Sequence, residues 1–106
     1  MKGYKLFIDD LRIPPGASWY VARNSDQAIR TLLSLGCPSE ISFDHDLGGE
    51  DTAMKVVHWL IDQDMNNQGQ FIPPDFQYLV HSANPVGKAN IKGLLSGYLK
   101  HKSQMP

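Results

Sequence analysis

Three short polar clusters each close an apolar run. Asp9-Asp10 follows Lys5-Leu6-Phe7-Ile8. Asp44-His45-Asp46 follows Glu40-Ile41-Ser42-Phe43. His81-Ser82-Ala83-Asn84 follows Phe76-Gln77-Tyr78-Leu79-Val80. Each run has the length and residue types of a strand. If the strands lie parallel, all three clusters emerge at one sheet edge. That edge then carries four carboxylates, two imidazoles and a hydroxyl. Such a group can hold a metal ion or move protons around a phosphate.

Among the acids, Asp9, Asp10 and Asp44 offer hard oxygen ligands, and Asp46 a fourth. A divalent ion of the Mg²⁺ or Mn²⁺ kind suits them better than Zn²⁺. Without a cation the like charges repel. The competing account is that these acids only cap loops and helix starts. His45 and His81 can serve as proton donor and acceptor near neutral pH, beside Asp44. They can equally ligate a transition metal with Asp44 or Asp46, or be satisfied structural histidines. His58 and His101 fall on a polar helix face and in the tail.

Four further residues are placed to hold phosphate. Arg12, two residues beyond the acidic pair, can fork onto a phosphate or pair with Asp9 or Asp10. Ser82 and Asn84 lie in a strand-to-helix turn, where a helix N-terminus presents unpaired N–H groups. Lys88 adds positive charge. Asn84 before Pro85 also has the form of an ordinary N-cap. The turn lacks the Gly-rich pattern and Lys-Ser/Thr end of a Walker loop. Gly48-Gly49 supplies loop flexibility. Cys37 lies away from this edge. Ser82 points to the opposite face from His81 by strand alternation, and no Gly-x-Ser-x-Gly elbow is present, so a serine triad is not expected.

The elements that must position these groups follow from periodicity. Strands are expected at Tyr4–Asp9, Trp19–Ala22, Ile41–Asp44 and Phe76–Val80. The first is followed by a loop that Pro14 and Pro15 enforce. A helix from Ser25 to Leu35 has Ala28, Ile29, Leu32 and Leu33 on its apolar face, Asn24 as N-cap with Gln27 bonding back, and Gly36 as stop. A second helix starts near Asp51 and buries Ala53, Val56, Val57, Leu60 and Ile61. Residues 65–74 read as an exposed polar loop. The last helix begins at Pro85 and buries Ile91, Leu94, Leu95 and Tyr98. Residues 1–99 form one domain, and 100–106 a flexible tail. Alternating strands and helices predict an α/β fold: a short parallel sheet of order 2-1-3-4 with helices on both faces. Its ligand crevice lies at the switch in strand order, where the acids sit.

Composition excludes several classes. At 106 residues, 42% apolar and net charge −1, the chain reads as one soluble domain with no strong nucleic-acid-binding surface. The single Cys37 excludes an internal disulfide framework and fits a reducing, cytoplasmic setting. No apolar run spans a bilayer, and strand-like residues begin too early for a signal peptide. The last strand is a bare edge, so a homodimer is expected.

The clusters, in this order, resemble response-regulator receiver domains, which imply an acidic pair at Asp9-Asp10, a phosphoacceptor at Asp44 and a hydroxyl at Ser82. The chain departs from them: the first connecting helix is a Pro-rich loop, and the fifth strand with its Lys and the fifth helix have no counterpart. Phe7-Ile8-Asp9-Asp10-Leu11-Arg12, Phe43-Asp44-His45-Asp46-Leu47 and His81-Ser82-Ala83-Asn84-Pro85 are similar to the cyclic-phosphate processing receiver-like family. That resemblance spans most of the chain and implies a truncated receiver- or flavodoxin-like three-layer sandwich. It implies a phosphoesterase that opens cyclic phosphates or phosphodiesters of nucleotides or RNA-derived small molecules. The alternative is a non-catalytic receiver-like module that binds a nucleotide or is phosphorylated on Asp44.

Overall fold

A computed structural model describes residues 3–104. Its elements are β1 (Lys5–Ile8), β2 (Trp19–Ala22), α1 (Ser25–Leu35), β3 (Glu40–Phe43), α2 (Met54–Asn66), β4 (Gln77–Val80) and α3 (Pro85–Ser103). The strands form one parallel sheet of order β2-β1-β3-β4, as expected. Register levels the strand ends: Ile8 stands beside Ala22 and Phe43, and Phe43 beside Val80. The ladder runs one step further. Asp9 N–H donates to Ala22 O at 3.1 Å, Asp44 N–H to Ile8 O at 2.8 Å and His81 N–H to Phe43 O at 2.9 Å. The first polar residue after each of three strands is therefore held by main-chain bonds at one edge.

The helices all cover one face, which corrects the expected two-sided, three-layer arrangement. Alternation points Leu6, Ile8, Ile41 and Phe43 to the same side, where they are buried with Ala28 and Leu32 of α1, Val56, Val57, Leu60 and Ile61 of α2, and Ile91 and Leu95 of α3. Helix α1 packs on α2, and α2 on α3. Handedness explains this for α1 and α2. The crossovers β2→β3 and β3→β4 run the same way across the sheet, so right-handed connections put their helices on one side. Only β1→β2 runs the other way, and Pro14-Pro15 leave that connection without a helix. The other face carries Lys5, Phe7, Trp19, Val21, Glu40, Ser42, Gln77 and Leu79. Phe7 is nevertheless only 4% exposed. The Trp19 ring meets it edge-on at 5.9 Å, and the His81 ring stacks on it at 4.6 Å.

Helix α1 has the expected bounds. Asn24 accepts from Gln27 N–H at 2.8 Å, while the Gln27 side chain reaches back one residue further, to Arg23 N–H at 2.7 Å. Gly36 closes the helix with φ +81°. Leu33 departs from the expected apolar face and is 67% exposed. Helix α2 starts at Met54, because Asp51 is engaged elsewhere: its carboxylate accepts from Ser25 N–H at 2.8 Å and Ser25 Oγ at 2.5 Å, clamping the α2 entry to the start of α1.

Helix α3 continues through Ser103 into the stretch read as tail; Met105 and Pro106 lie outside the described residues. The cause is Asp64, a fully buried acid near the end of α2. It accepts from Tyr98 Oη at 2.6 Å, Lys102 Nζ at 3.0 Å, and the N–H groups of Phe71 and Ile72. Burial pushes this carboxyl up, but the Ile72 N–H, Tyr98 and Lys102 outweigh it and hold its pKa below the ordinary value. Tyr98 is pushed up to about 12 by burial and by the Asp64 charge. The loop 67–74, read as exposed, is thereby tied down, and Ile72 joins the core.

Candidate functional site

The edge beyond the strand ends opens into a cleft of about 420 Å³, lined by Asp10, Arg12, Asp44, Asp46, Gly48, Gly49, Ser82, Ala83 and Asn84. Six of the expected site residues therefore share one opening. Asp9, His45, His81 and Lys88 do not line it.

Asp9 stands behind the cleft, 1% exposed. Its Oδ1 accepts from the N–H groups of Leu11 and Arg12, both at 2.9 Å. Its Oδ2 accepts from His81 Nε2 at 2.8 Å and Arg12 Nη1 at 3.4 Å. Four donors fill the sites that two carboxylate oxygens offer. Burial pushes the Asp9 carboxyl up, yet the Arg12 and Leu11 N–H groups and the His81 ring win and lower its pKa. Asp9, Asp10 and Asp44 each bring an oxygen within 4.8 Å of the others. Asp9, however, would have to give up a donor to bind an ion. No side-chain hydrogen bond among the described residues engages Asp10 or Asp44. A divalent cation thus fits Asp10 and Asp44, with Asp9 as the buried charge behind them.

His81 is locked. Its Nε2 meets Asp9 and its Nδ1 meets Ser42 Oγ at 2.7 Å, with Phe7 beneath the ring. Asp9 bears the carboxylate charge, so Nε2 carries a hydrogen; in the neutral ring Nδ1 then accepts from the Ser42 hydroxyl. Both ring nitrogens are spent on this chain, away from the cleft. His45 is held differently. Its Nδ1 lies 3.0 Å from Asp46 Oδ1, and its ring packs on Gly87 of α3. Its Nε2 has no hydrogen-bond partner among the described residues. The His45 contact, then Asn84, lowers the Asp46 pKa.

Arg12 sits at the cleft rim, half-exposed, with Nη1 on Asp9 Oδ2 and on His81 O at 3.2 Å. Pairing with Asp9 and facing the cleft are therefore compatible. Asn84 does two jobs. Its Oδ1 caps α3 by accepting from Gly87 N–H at 3.0 Å, and its Nδ2 donates to Asp46 Oδ2 at 3.1 Å. Ser82 Oγ accepts from Asn84 N–H at 3.1 Å. Lys88 lines a different groove, between β4 and α3, because the first turn of α3 carries it away from the cleft.

Two contributors escaped the sequence reading. Arg23 directly follows β2 at the same edge; its Nη1 donates to Asp9 O at 3.1 Å and Arg12 O at 2.7 Å, fixing the loop that carries Arg12. Ser42 is buried inside β3, on the helix-free face.

A family model described as "Cyclic-phosphate processing Receiver domain" matches residues 4–97. No curated protein and no solved structure matches the chain. No helix among the described residues is long and apolar enough to cross a membrane.

Proposed function

The chain belongs to the cyclic-phosphate processing receiver domain family, and on that premise we propose that its cleft binds a cyclic phosphate ester of a nucleotide or RNA-derived small molecule and opens it by hydrolysis. The observation that carries this reading is the joint lining of one cleft by the acids Asp10, Asp44 and Asp46 together with Arg12, Ser82 and Asn84. Acids alone would suit a cation. The added guanidinium, hydroxyl and helix start suit phosphate oxygens.

In this reading Arg12 and Ser82 orient the phosphate, and Asp44 accepts a proton from the attacking water. Water oxygen bonds to phosphorus, one ring P–O bond breaks, and the freed ester oxygen takes a proton, leaving a phosphomonoester. That proton comes from solvent water, and His45, outside the cleft lining, serves as a positioning residue whose Nδ1 holds Asp46. His81 acts at one remove, by keeping Asp9 charged and Arg12 in place. A divalent ion such as Mg²⁺ or Mn²⁺ on Asp10 and Asp44, when bound, would offset their charge and polarise a phosphate oxygen.

The test is turnover of 2′,3′-cyclic nucleotides and ADP-ribose cyclic phosphate, followed by phosphorus NMR. Asp44→Asn should lose at least a hundredfold in kcat, and His45→Ala less, through the loosened Asp46. Arg12→Ala should raise KM more than it lowers kcat. Undiminished turnover in Asp44→Asn would remove Asp44 from the reaction. The family's receiver character favours a second reading, phosphorylation of Asp44. Intact mass after acetyl phosphate would show a labile adduct on Asp44 if that reading holds.

A further inference from the structure

The outer edge of β4 is bare. β4 ends the sheet among the described residues, and Gln77 and His81 turn their N–H groups inward, to Ser39 and Phe43. Alternation then turns the N–H and C=O of Tyr78 and Val80 outward. Beside this edge runs a groove of about 590 Å³, lined by Tyr78, Leu79 and Val80 and, on α3, by Lys88, Lys92 and Ser96. The charged side chains in it are both lysines. Neither forms an ion pair among the described residues.

Two spacings match. Lys88 and Lys92 are four residues apart on one helix, about 6 Å along its axis. Same-face side chains of an extended chain, two residues apart, are about 6.6 Å apart. Two acidic residues at alternate positions of a strand can therefore meet both lysines. The intervening side chains would fall on the helix-free face, next to Leu79, which is 56% exposed.

We propose that this groove takes an extended acidic segment of a partner polypeptide as a fifth strand. Acidic side chains at alternate positions face Lys88 and Lys92, and apolar ones between them lie beside Leu79. Main-chain bonds to Tyr78 and Val80 supply affinity, and the charge pattern supplies selectivity. A second copy suits the groove less well. Twofold pairing of two β4 edges would set the lysines of both α3 helices against each other.

The experiment uses the whole chain and a probe peptide, acetyl-Thr-Glu-Val-Glu-Val-Glu-Thr-amide. Controls are the same peptide with Lys for Glu and an isomer with the three Glu contiguous. Backbone amide NMR should show shifts and slowed hydrogen exchange at Tyr78 and Val80 with the alternating Glu peptide alone. Anisotropy of a labelled probe should show affinity falling at least tenfold in K88E/K92E, falling less in K88Q/K92Q, and weakening with salt. Circular dichroism of both variants checks that the fold is kept. Three results would overturn the proposal: no change at Tyr78 and Val80 at millimolar peptide, equal binding by K88E/K92E, or concentration-dependent protection of those amides without peptide, which would identify a second copy as the occupant.

Discussion

Substituting Gly87 by Ala should uncouple the start of α3 from the His45 ring. Gly87 is buried in the first turn of α3. A Cβ there would lie 2.6 Å from Cδ2 and Nδ1 of His45. Those atoms belong to a rigid ring whose Nδ1 is held by Asp46. The ring escapes only by changing χ1, which breaks that bond. Alanine by itself favours a helix over glycine by about 0.5–1 kcal/mol. Forcing a methyl group into a packed site costs about 1–3 kcal/mol. With rigid ring atoms under 3.0 Å away the cost lies in the upper half of that range, so Gly87→Ala should destabilise by about 1–2 kcal/mol. The same helix supplies the control. Gly93 and Gly97 have nothing within 4 Å of a Cβ, so Ala at either should stabilise by up to about 1 kcal/mol. Urea denaturation of the three variants, with the His45 ring followed by imidazole NMR, reads both signs. A Gly87→Ala protein as stable as Gly93→Ala, with an unmoved His45 signal, would refute the packing argument.

Other consequences follow from the buried acids and the His81 chain. Asp64→Asn should cost about 2–4 kcal/mol in thermal or urea unfolding, because Lys102 and the last turns of α3 lose their anchor. The Asp9, Asp51 and Asp64 carboxyls all titrate below their ordinary value of 3.8. Their stabilisation is complete above that value and is lost as pH falls below it, through the depressed native pKa values. Acid unfolding of Asp64→Asn should therefore be less steep between pH 4 and 2 (roughly the carboxylate range) than that of the parent; an unchanged slope would exclude Asp64 as a main source. His81→Phe keeps the stack on Phe7 but strips Asp9 and Ser42 of their partner, for about 1–3 kcal/mol. Adding Ser42→Ala should recover part of that loss in a double-mutant cycle, and strict additivity would argue against the coupling.

The strands, their order and the gathering of Asp10, Asp44, Asp46, Ser82 and Asn84 were legible because they rest on local signals. Apolar runs of strand length end in polar residues, and right-handed crossovers leave few ways to join them. The helix-free face was missed because periodicity in one segment does not say whether a neighbouring connection supplies a helix. That single error hid His81. Residues 77, 79 and 81 alternate onto one face, as do 40 and 42, and 5, 7 and 9. The face without a helix therefore brings Phe7, Ser42, Asp9 and His81 together, whereas a helix there would have buried them among other groups. Arg23 could have been found by treating the end of β2 as a fourth cluster at the same edge. The saturation of Asp9 by two backbone N–H groups could not be read beforehand, since it depends on how the Leu11-Arg12 turn closes. The extension of α3 depended equally on a distant partner, Asp64, invisible in the local composition of residues 100–103.

The most direct test of the account is hydrolysis of a 2′,3′-cyclic nucleotide in ¹⁸O-labelled water with Mn²⁺ present, read by mass spectrometry of the product. The account predicts a phosphomonoester carrying one ¹⁸O on phosphorus from the parent protein, and at least a hundredfold less from Asp44→Asn. No ring opening by the parent, or equal label incorporation by Asp44→Asn, would contradict it.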